Sequence, residues 1–319
     1  MKKPIVIAVI LIVIGLLLAL FSLLLVKFDL RLFSSVKYEE RTVSVTESVT
    51  ALAIQASTRR VNILPSADGS VRVAYHEPLH ENMTVSVSVK DGKLSVIEQD
   101  TRKWYQKIDI FGFGGQEITV YLPAGTYGAL DMALSTGDIT VEKEFTFAAA
   151  RITQSTGELL FRASVTGELC IAGSTGDVEV VGCTLGTLNI SRSTGDLEIK
   201  DCTVGTMTVS GSTGEKEMER LTVLGDATLK TTTGDVEMEY VTVGGHLEIK
   251  GDTSDVSVMD SDAATLRIVT TTGVVSGRLL TDKHFVAKSD TGRVQVPDTV
   301  GGICEITTDT GDIHFVDKD

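Results

Sequence analysis

The chain has 319 residues, 42% of them hydrophobic and 23% charged, which is too long for one small domain. Only 5% of the residues are aromatic while glycine occurs 30 times, a composition that favours many short strands joined by tight turns. The formal net charge of −14 excludes nucleic acid as the expected partner, because binding it requires clustered Lys and Arg.

The chain begins with an apolar segment. Two lysines precede an uncharged run of 22 residues from Ile5 to Val26, and a transmembrane helix needs roughly 20. The run is longer than the apolar part of a cleavable signal peptide, and no small-residue cleavage site follows it. We therefore predict a short cytoplasmic N-terminus at residues 1–4 and a single-pass transmembrane signal anchor at residues 5–27.

The flanking charges leave the orientation of this anchor open, because lysines stand on both sides of it. The expected arrangement has the C-terminal part outside the cell membrane. Beyond residue 27 the chain has 26 basic and 43 acidic side chains, a net charge of −17. That charge keeps the domain soluble and away from an anionic lipid surface.

Residues 28–130 alternate in hydrophobicity without a fixed period, so we predict an irregular N-terminal β cap there. The strand patterns fall at residues 42–45, 51–54, 61–63, 71–73, 85–89, 94–96 and 118–122. Residues 101–116 read as a loop that contains an aromatic cluster with Trp104 and Tyr105. This loop is either a hydrophobic lid over the first coil or a contact surface.

One tetrapeptide, Ser/Thr-Thr-Gly-Asp with substitutions, recurs from Ser135 onward. Its third position falls at residues 137, 157, 176, 195, 214, 234, 254, 273, 292 and 311. These nine intervals span 174 residues, and each is 19 or 20 residues long. Such a period indicates a solenoid, whose repeats bury their apolar side only by stacking on one another.

Within each repeat the apolar residues alternate, as in the pairs Val178/Val180 and Leu188/Ile190, which predicts two strands per coil. The predicted fold is all-β: a single-stranded, right-handed parallel β-helix over residues 131–319, with coils about 4.8 Å apart. The last coil in the sequence has no cap. We therefore expect an open edge there that permits end-to-end self-association.

The segment Ile-Thr-Val-Tyr-Leu-Pro at 118–123, the run Leu-Asp-Met-Ala-Leu and the Thr-Gly-Asp turns carry a family resemblance. Over about residues 40–319 the chain resembles a bacterial β-strand-repeat family of unknown function labelled "putative adhesin". The resemblance implies a membrane-tethered β-helical domain outside the cytoplasmic membrane. It brings no ligand and no catalytic residue.

Two columns of carboxylates are expected on the outward face of the solenoid. The first follows the repeat glycines and includes Asp177, Asp196, Glu215 and Asp235; the second lies two residues further on, at Glu179, Glu198, Glu217 and Glu237. Carboxylates at this spacing repel by about 1 kcal/mol per pair in water, which bound Ca²⁺ would relieve. Alternatively, the first column completes its turns and both columns face solvent. Val274 and Arg293 interrupt the first column, which argues against a regular calcium array.

Cys183 and Cys202 both lie seven residues after a repeat glycine, so they should stack on adjacent coils. Their expected spacing permits either two reduced core thiols or a disulfide. Cys304 falls at an inward position and Cys170 at an outward one, so neither has an evident partner. The lack of a Cys-x-x-Cys motif argues against structural zinc.

Catalysis has little support in the sequence, and no cofactor is expected. The five histidines are scattered over the chain: His76, His80, His246, His284 and His314. The repeated Thr-Gly-Asp is a structural element of the turns, because it recurs too often to mark one catalytic site. We therefore predict a protein that is not an enzyme.

The prediction for function is a membrane-anchored cell-surface or envelope protein whose solenoid serves adhesion or binds an unknown protein or cell-wall ligand. One alternative is an accessory or sensing component of bacterial envelope-stress regulation. A further alternative is a polysaccharide-active β-helix enzyme, although the solenoid shows acids in columns and bases only singly.

Overall fold

The computed structural model describes residues 14–15, 21, 38–79, 83–101 and 116–317. Over residues 38–79, 83–101 and 116–317 the chain is an all-β solenoid of about ten turns, as the repeat predicts. The predicted anchor lies outside the described residues except at positions 14, 15 and 21, and so do His80, Trp104 and Tyr105. Among the residues that are described, no helix has the length and apolar character needed to cross a membrane.

Seven strands precede the first repeat. They are β1 (Tyr38–Val45), β2 (Ala51–Ala56), β3 (Arg60–Pro65), β4 (Val71–Pro78), β5 (Met83–Lys90), β6 (Lys93–Asp100) and β7 (Glu117–Leu122).

Twenty strands follow in the repeats. The first ten are β8 (Gly125–Thr136), β9 (Ile139–Val141), β10 (Phe145–Thr156), β11 (Leu159–Phe161), β12 (Ser164–Thr175), β13 (Val178–Val181), β14 (Thr184–Thr194), β15 (Leu197–Lys200), β16 (Thr203–Thr213) and β17 (Lys216–Glu219). The last ten are β18 (Thr222–Val223), β19 (Ala227–Thr233), β20 (Val236–Glu239), β21 (Thr242–Thr253), β22 (Val256–Thr272), β23 (Val275–Leu279), β24 (Lys283–Thr291), β25 (Val294–Gln295), β26 (Gly302–Thr310) and β27 (Ile313–Val316).

Most repeats contribute one short and one long strand to two parallel, in-register faces, and β22 runs through both faces without a break. The short strands, such as β13 and β15, form one face, here called the short sheet, in which Val178 pairs with Leu197. The long strands, such as β14 and β16, form the long sheet, in which Leu188 pairs with Met207. Because alternate residues point inward, the apolar ladders of both sheets meet in one continuous core.

At the N-terminal end the chain does not stack in sequence order. Strand β2 lies between β6 and β8 in the long sheet, and β3 lies between β7 and β9 in the short sheet. Antiparallel strands lie beyond them: β4 pairs with β7 and β1, and β5 pairs with β6. Residues 51–65 thus form a coil that stacks directly on the first marked repeat.

The C-terminal end also departs from chain order. Strand β26 lies between β22 and β24 in the long sheet, and β27 lies between β23 and β25 in the short sheet. The expectation that the last coil in the sequence forms the open edge is therefore wrong. Along the chain, β24 and β25 form the outermost coil, and β26 and β27 then form the coil between it and the β22–β23 coil.

Candidate functional site

The repeat turns require glycine for two reasons. Gly195 has φ +130°, a region that residues with a Cβ rarely adopt, and a Cβ there would lie 2.1 Å from the carbonyl oxygen of Gly176. Gly176 also has a positive φ, and a Cβ there would lie 2.1 Å from the carbonyl oxygen of Gly157. The column thus lets successive turns approach closely, and this approach fixes the stacking of the residues that follow.

The aspartates after these glycines form a hydrogen-bonded ladder. The backbone N–H of Asp196 donates to Asp177 Oδ1 at 2.9 Å, and the N–H of Glu215 donates to Asp196 Oδ1 at 2.9 Å. Four further steps have the same geometry: Glu158 to Asp138, Asp255 to Asp235, Val274 to Asp255 and Arg293 to Asp312. The first acidic column is therefore a structural part of the turns.

This ladder also explains Arg293, which interrupts the column. Arg293 belongs to the outermost coil, since its N–H donates to Asp312 and β25 has β27 as its partner in the short sheet. Among the described strands no coil lies beyond it, so a carboxylate at position 293 would have no turn N–H to accept.

Six of the eight candidate carboxylates line one groove on the outer face of the short sheet. The groove has a volume of about 720 Å³, and the six are Asp177, Glu179, Asp196, Glu198, Glu215 and Glu217. Asp138 and Glu158 extend it toward the N-terminal end, where Arg60 lies 3.3 Å from Asp138. The other two candidates, Asp235 and Glu237, lie in a separate depression of about 180 Å³. We call the first depression the acidic groove.

The charge in the acidic groove is only partly compensated. Lys200 Nζ lies 2.8 Å from Glu198 and 3.1 Å from Glu217, and these contacts raise the pKa of the lysine. Partial burial, followed by the charges of Glu237, Asp196 and other nearby acids, raises the pKa of Glu215. A positively charged group from outside would relieve this repulsion.

Metal binding gains no geometric support. In the part of the chain that the structure describes, no three His, Cys, Asp or Glu side chains are arranged to hold a metal ion. The Ca²⁺ hypothesis remains a prediction on the eight carboxylates.

Behind the turns runs a polar spine that the sequence analysis missed. Gln154 Nε2 donates to Gly137 O at 2.7 Å, and buried Arg192 donates to Gln154 Oε1, Gly157 O and Thr175 O at 2.9–3.2 Å. Desolvation lowers the pKa of this arginine. The sequence signal for the spine is that these residues lie three positions before repeat glycines and alternate there with Gly173 and Gly211.

Lys216 is the second unexpected cation inside the solenoid. It occupies an inward position that other coils fill with Val178, Leu197 or Val236, and it is 3% exposed. Its Nζ donates to Gly214 O at 2.7 Å, and burial lowers its pKa. The Lys216 side chain fits because Gly211 leaves room beside it.

The predicted cysteine stack is present. Cys183 and Cys202 are buried free thiols, and the N–H of Cys183 lies 3.4 Å from Cys202 Sγ. The neighbouring thiol and burial raise the pKa of Cys183, and burial raises the pKa of Cys304 to about 12. A raised pKa makes the buried thiols of Cys183 and Cys304 poor nucleophiles at neutral pH.

The structure does not bring the described histidines together into one site. His76 lies on β4, His246 on β21, His284 on β24 and His314 on β27. His246 Nδ1 lies 2.8 Å from the hydroxyl of Thr265, a surface contact between neighbouring strands.

The sequence model of the Toastrack DUF4097 domain matches residues 49–245, which is more than half of the chain. The chain belongs to the Toastrack DUF4097 family. The match begins just before β2, so it includes the out-of-order coil of β2 and β3 and many of the regular repeats, and it ends before the reordered C-terminal coils. No match was found among curated proteins.

Several solved structures are similar to this Toastrack chain at low sequence identity. A "putative adhesin" from Bacteroides fragilis has 15% identity, 88% coverage of this chain, 97% coverage of its own and a TM-score of 0.36. A second, from Parabacteroides distasonis, has 11% identity, the same coverages and a TM-score of 0.48. A "putative lipid binding protein" from the latter organism has 13% identity, covers 87% and 97%, and has a TM-score of 0.42.

Proposed function

We propose that this protein is a membrane-anchored, non-catalytic envelope protein whose solenoid binds a basic partner along the acidic groove. The observation that carries the proposal is the groove itself. It places eight carboxylates on a scaffold whose strands are fixed in register by backbone pairing and by the aspartate ladder.

The electrostatics favour a cationic segment of a protein over a lipid surface. The groove contains an excess of acids over its basic residues, Arg60 and the adjacent Lys200. The part of the chain beyond residue 27 has a net charge of −17, which repels anionic headgroups. Basic side chains of a partner would instead form pairs with carboxylates that now repel one another.

The anchor is supported by the sequence. The 22 uncharged residues from Ile5 to Val26 have the length of a membrane span. With such an anchor, the solenoid is held at its N-terminal end and its sides stay accessible.

The absence of catalysis is supported by the roles of the groove residues. Asp177 and Asp196 accept backbone hydrogen bonds from the next turn, so they are committed to structure. A general acid or base also needs a pKa near the working pH and a positioned partner. Of the groove acids, Glu215 has a raised pKa, and its cause is burial among other acids.

The test is binding of a fluorescent oligolysine peptide to the purified full-length chain at several salt concentrations. We expect salt-sensitive binding that weakens roughly tenfold in the double variant Glu198→Gln/Glu217→Gln, which leaves the aspartate ladder intact. The control is Glu47→Gln/Glu168→Gln, which removes the same charge outside the groove. Equal loss in both variants, or no binding at low salt, would refute the groove as the binding site.

A further inference from the structure

The outermost strand of the long sheet at the C-terminal end is unpaired on one side. Strand β24 is paired with β26, and no other strand in the described part of the chain joins it. Its nine residues run without a bulge or a proline, two of the features that block such edges, and the exposed charges that it carries are His284, Lys288 and Asp290. The corresponding edge of the short sheet is only two residues long and is followed closely by Pro297.

The core is uncovered at the same end. The inward residues Phe285 and Ala287 of β24 and Val296 beyond β25 are only partly buried, although equivalent residues of inner coils are fully buried. Exposed large apolar side chains concentrate in these last coils: Leu280, Val286, Val294, Val300, Ile303 and Val316. Val300 is 89% exposed and Val286 is 52% exposed. Such a surface favours an occupant that supplies both a strand and apolar side chains.

We propose that this edge docks a second copy of the chain, with the two β24 strands antiparallel across a two-fold axis. A second copy has the same unpaired strand and the same uncovered core, so one symmetric contact would pair both β24 strands and cover both cores. This assigns a partner to the proposed surface protein. Head-to-tail stacking would instead set β24 against β5, the antiparallel edge strand of the long sheet at the N-terminal end, which does not continue the parallel stack.

The charge pattern of β24 selects a register. Pairing centred on Ala287 brings His284 of each copy opposite Asp290 of the other, and Lys288 opposite Val286. On the inward side it brings Phe285 opposite Ser289. Moving the centre to Lys288 would put the two lysines opposite each other, which is unfavourable.

The first test is the mass of the purified full-length chain by sedimentation equilibrium. We expect a monomer–dimer equilibrium, with dimers predominant at about 100 µM because the end of a single coil makes a small interface. Ala287→Lys should shift the equilibrium to monomer, whereas Ala149→Lys, an exposed site on β10, should not. A monomer at every concentration would overturn the proposal, and so would masses that keep growing beyond the dimer.

Crosslinking is a second test that does not depend on the stability of the Ala287→Lys variant. In a Cys170→Ser background, Ala287→Cys should form an interchain disulfide on mild oxidation, because residue 287 faces itself across the axis. Ala149→Cys should remain monomeric. No crosslink at 287, or equal crosslinking at both sites, would contradict the two-fold edge. The groove variant Glu198→Gln/Glu217→Gln should dimerise normally, so a failure of the groove and a failure of the edge are distinguishable.

Discussion

At the scale of single residues, the repeat glycines are the positions where the chain tolerates least change. Gly195 combines a positive φ with direct contact to the preceding turn, whereas Gly182 has φ +68° and open space, with nothing within 4 Å of where a Cβ would lie. A substitution at Gly182 therefore tests the cost of the backbone conformation alone, whereas one at Gly195 adds the cost of steric overlap.

We predict that Gly195→Ala destabilises the solenoid far more than Gly182→Ala. The Gly182 variant should lose about 1–2 kcal/mol, the cost of a left-handed conformation with a Cβ. The Gly195 variant adds a Cβ 2.1 Å from a backbone oxygen and should lose roughly 3 kcal/mol or more. Chemical denaturation followed by circular dichroism measures both. Similar losses in the two variants would show that close stacking does not set the requirement.

Lys216 is predicted to destabilise the fold at neutral pH. Burial lowers its pKa from the ordinary value of 10.5, so folding favours the neutral amine. The stability of the native chain should therefore rise as the pH increases through the folded-state pKa toward 10.5. Lys216→Leu restores the aliphatic pattern of the other coils and should stabilise by about 1–2 kcal/mol near pH 7.

The check is the thermal midpoint of Lys216→Leu and the native chain near pH 7 and about pH 9.5. The advantage of the variant should shrink at the higher pH. A lower midpoint for the variant near pH 7 would mean that the buried ammonium group contributes net stability.

At the scale of elements, the turn–strand unit is held by the aspartate ladder. The carboxylates of the ladder repel one another, and this repulsion is offset because Oδ1 of Asp177 and of Asp196 each accepts a backbone N–H from the next turn. Where Glu158 and Glu215 replace aspartate, the structure shows no equivalent bond to the following turn among those that it describes.

We predict that Asp196→Ala destabilises by about 1 kcal/mol, while Asp196→Asn is close to neutral because the amide oxygen still accepts the N–H of Glu215. Urea midpoints of both variants, with Asp252→Asn at an exposed position as a control of the same charge change, measure the difference. Equal losses for alanine and asparagine would indicate that the charge matters rather than the acceptor.

The regular elements could be predicted from sequence, because their signal is periodic. The spacing of the repeat glycines predicts parallel pairs such as Leu188 with Met207, and these are confirmed. The buried Arg192 and Lys216 could not be predicted from alternation. A long cation at an inward position depends on space left by a glycine, which is Gly173 of the neighbouring coil for Arg192 and Gly211 of the same coil for Lys216. The acidic columns were predictable, but the backbone hydrogen bonds that the aspartates accept, and the grouping of six of the eight carboxylates in one groove, required the structure.

At the scale of the whole molecule, chain order and stacking order differ at both ends. Counting the repeats along the sequence would stack the β24–β25 coil on β22–β23 and the β26–β27 coil last. In the structure the β26–β27 coil lies between them, and the β24–β25 coil is outermost. Their period does not distinguish them, although Arg293 stands at the ladder position of the outer coil and Asp312 at that of the inner one. The exchange places β27 inside the stack.

We predict that removing residues 299–319 exposes β24 rather than merely shortening the solenoid. In the structure β24 pairs with β26, so its backbone amides should lose protection in hydrogen exchange when β26 is absent. Peptides from β16 serve as an internal control and should exchange equally in both chains. Retained protection of residues 283–291 would indicate that β24 packs on β22, as simple sequential stacking requires.

The proposed function requires the solenoid to lie outside the cytoplasmic membrane. Protease treatment of intact cells, followed by mass spectrometry of the released peptides, measures this directly. We predict that peptides from residues 130–317 appear before lysis, with a cytoplasmic protein as the control for cell integrity. Protection of those peptides until lysis would contradict an envelope protein with an accessible acidic groove.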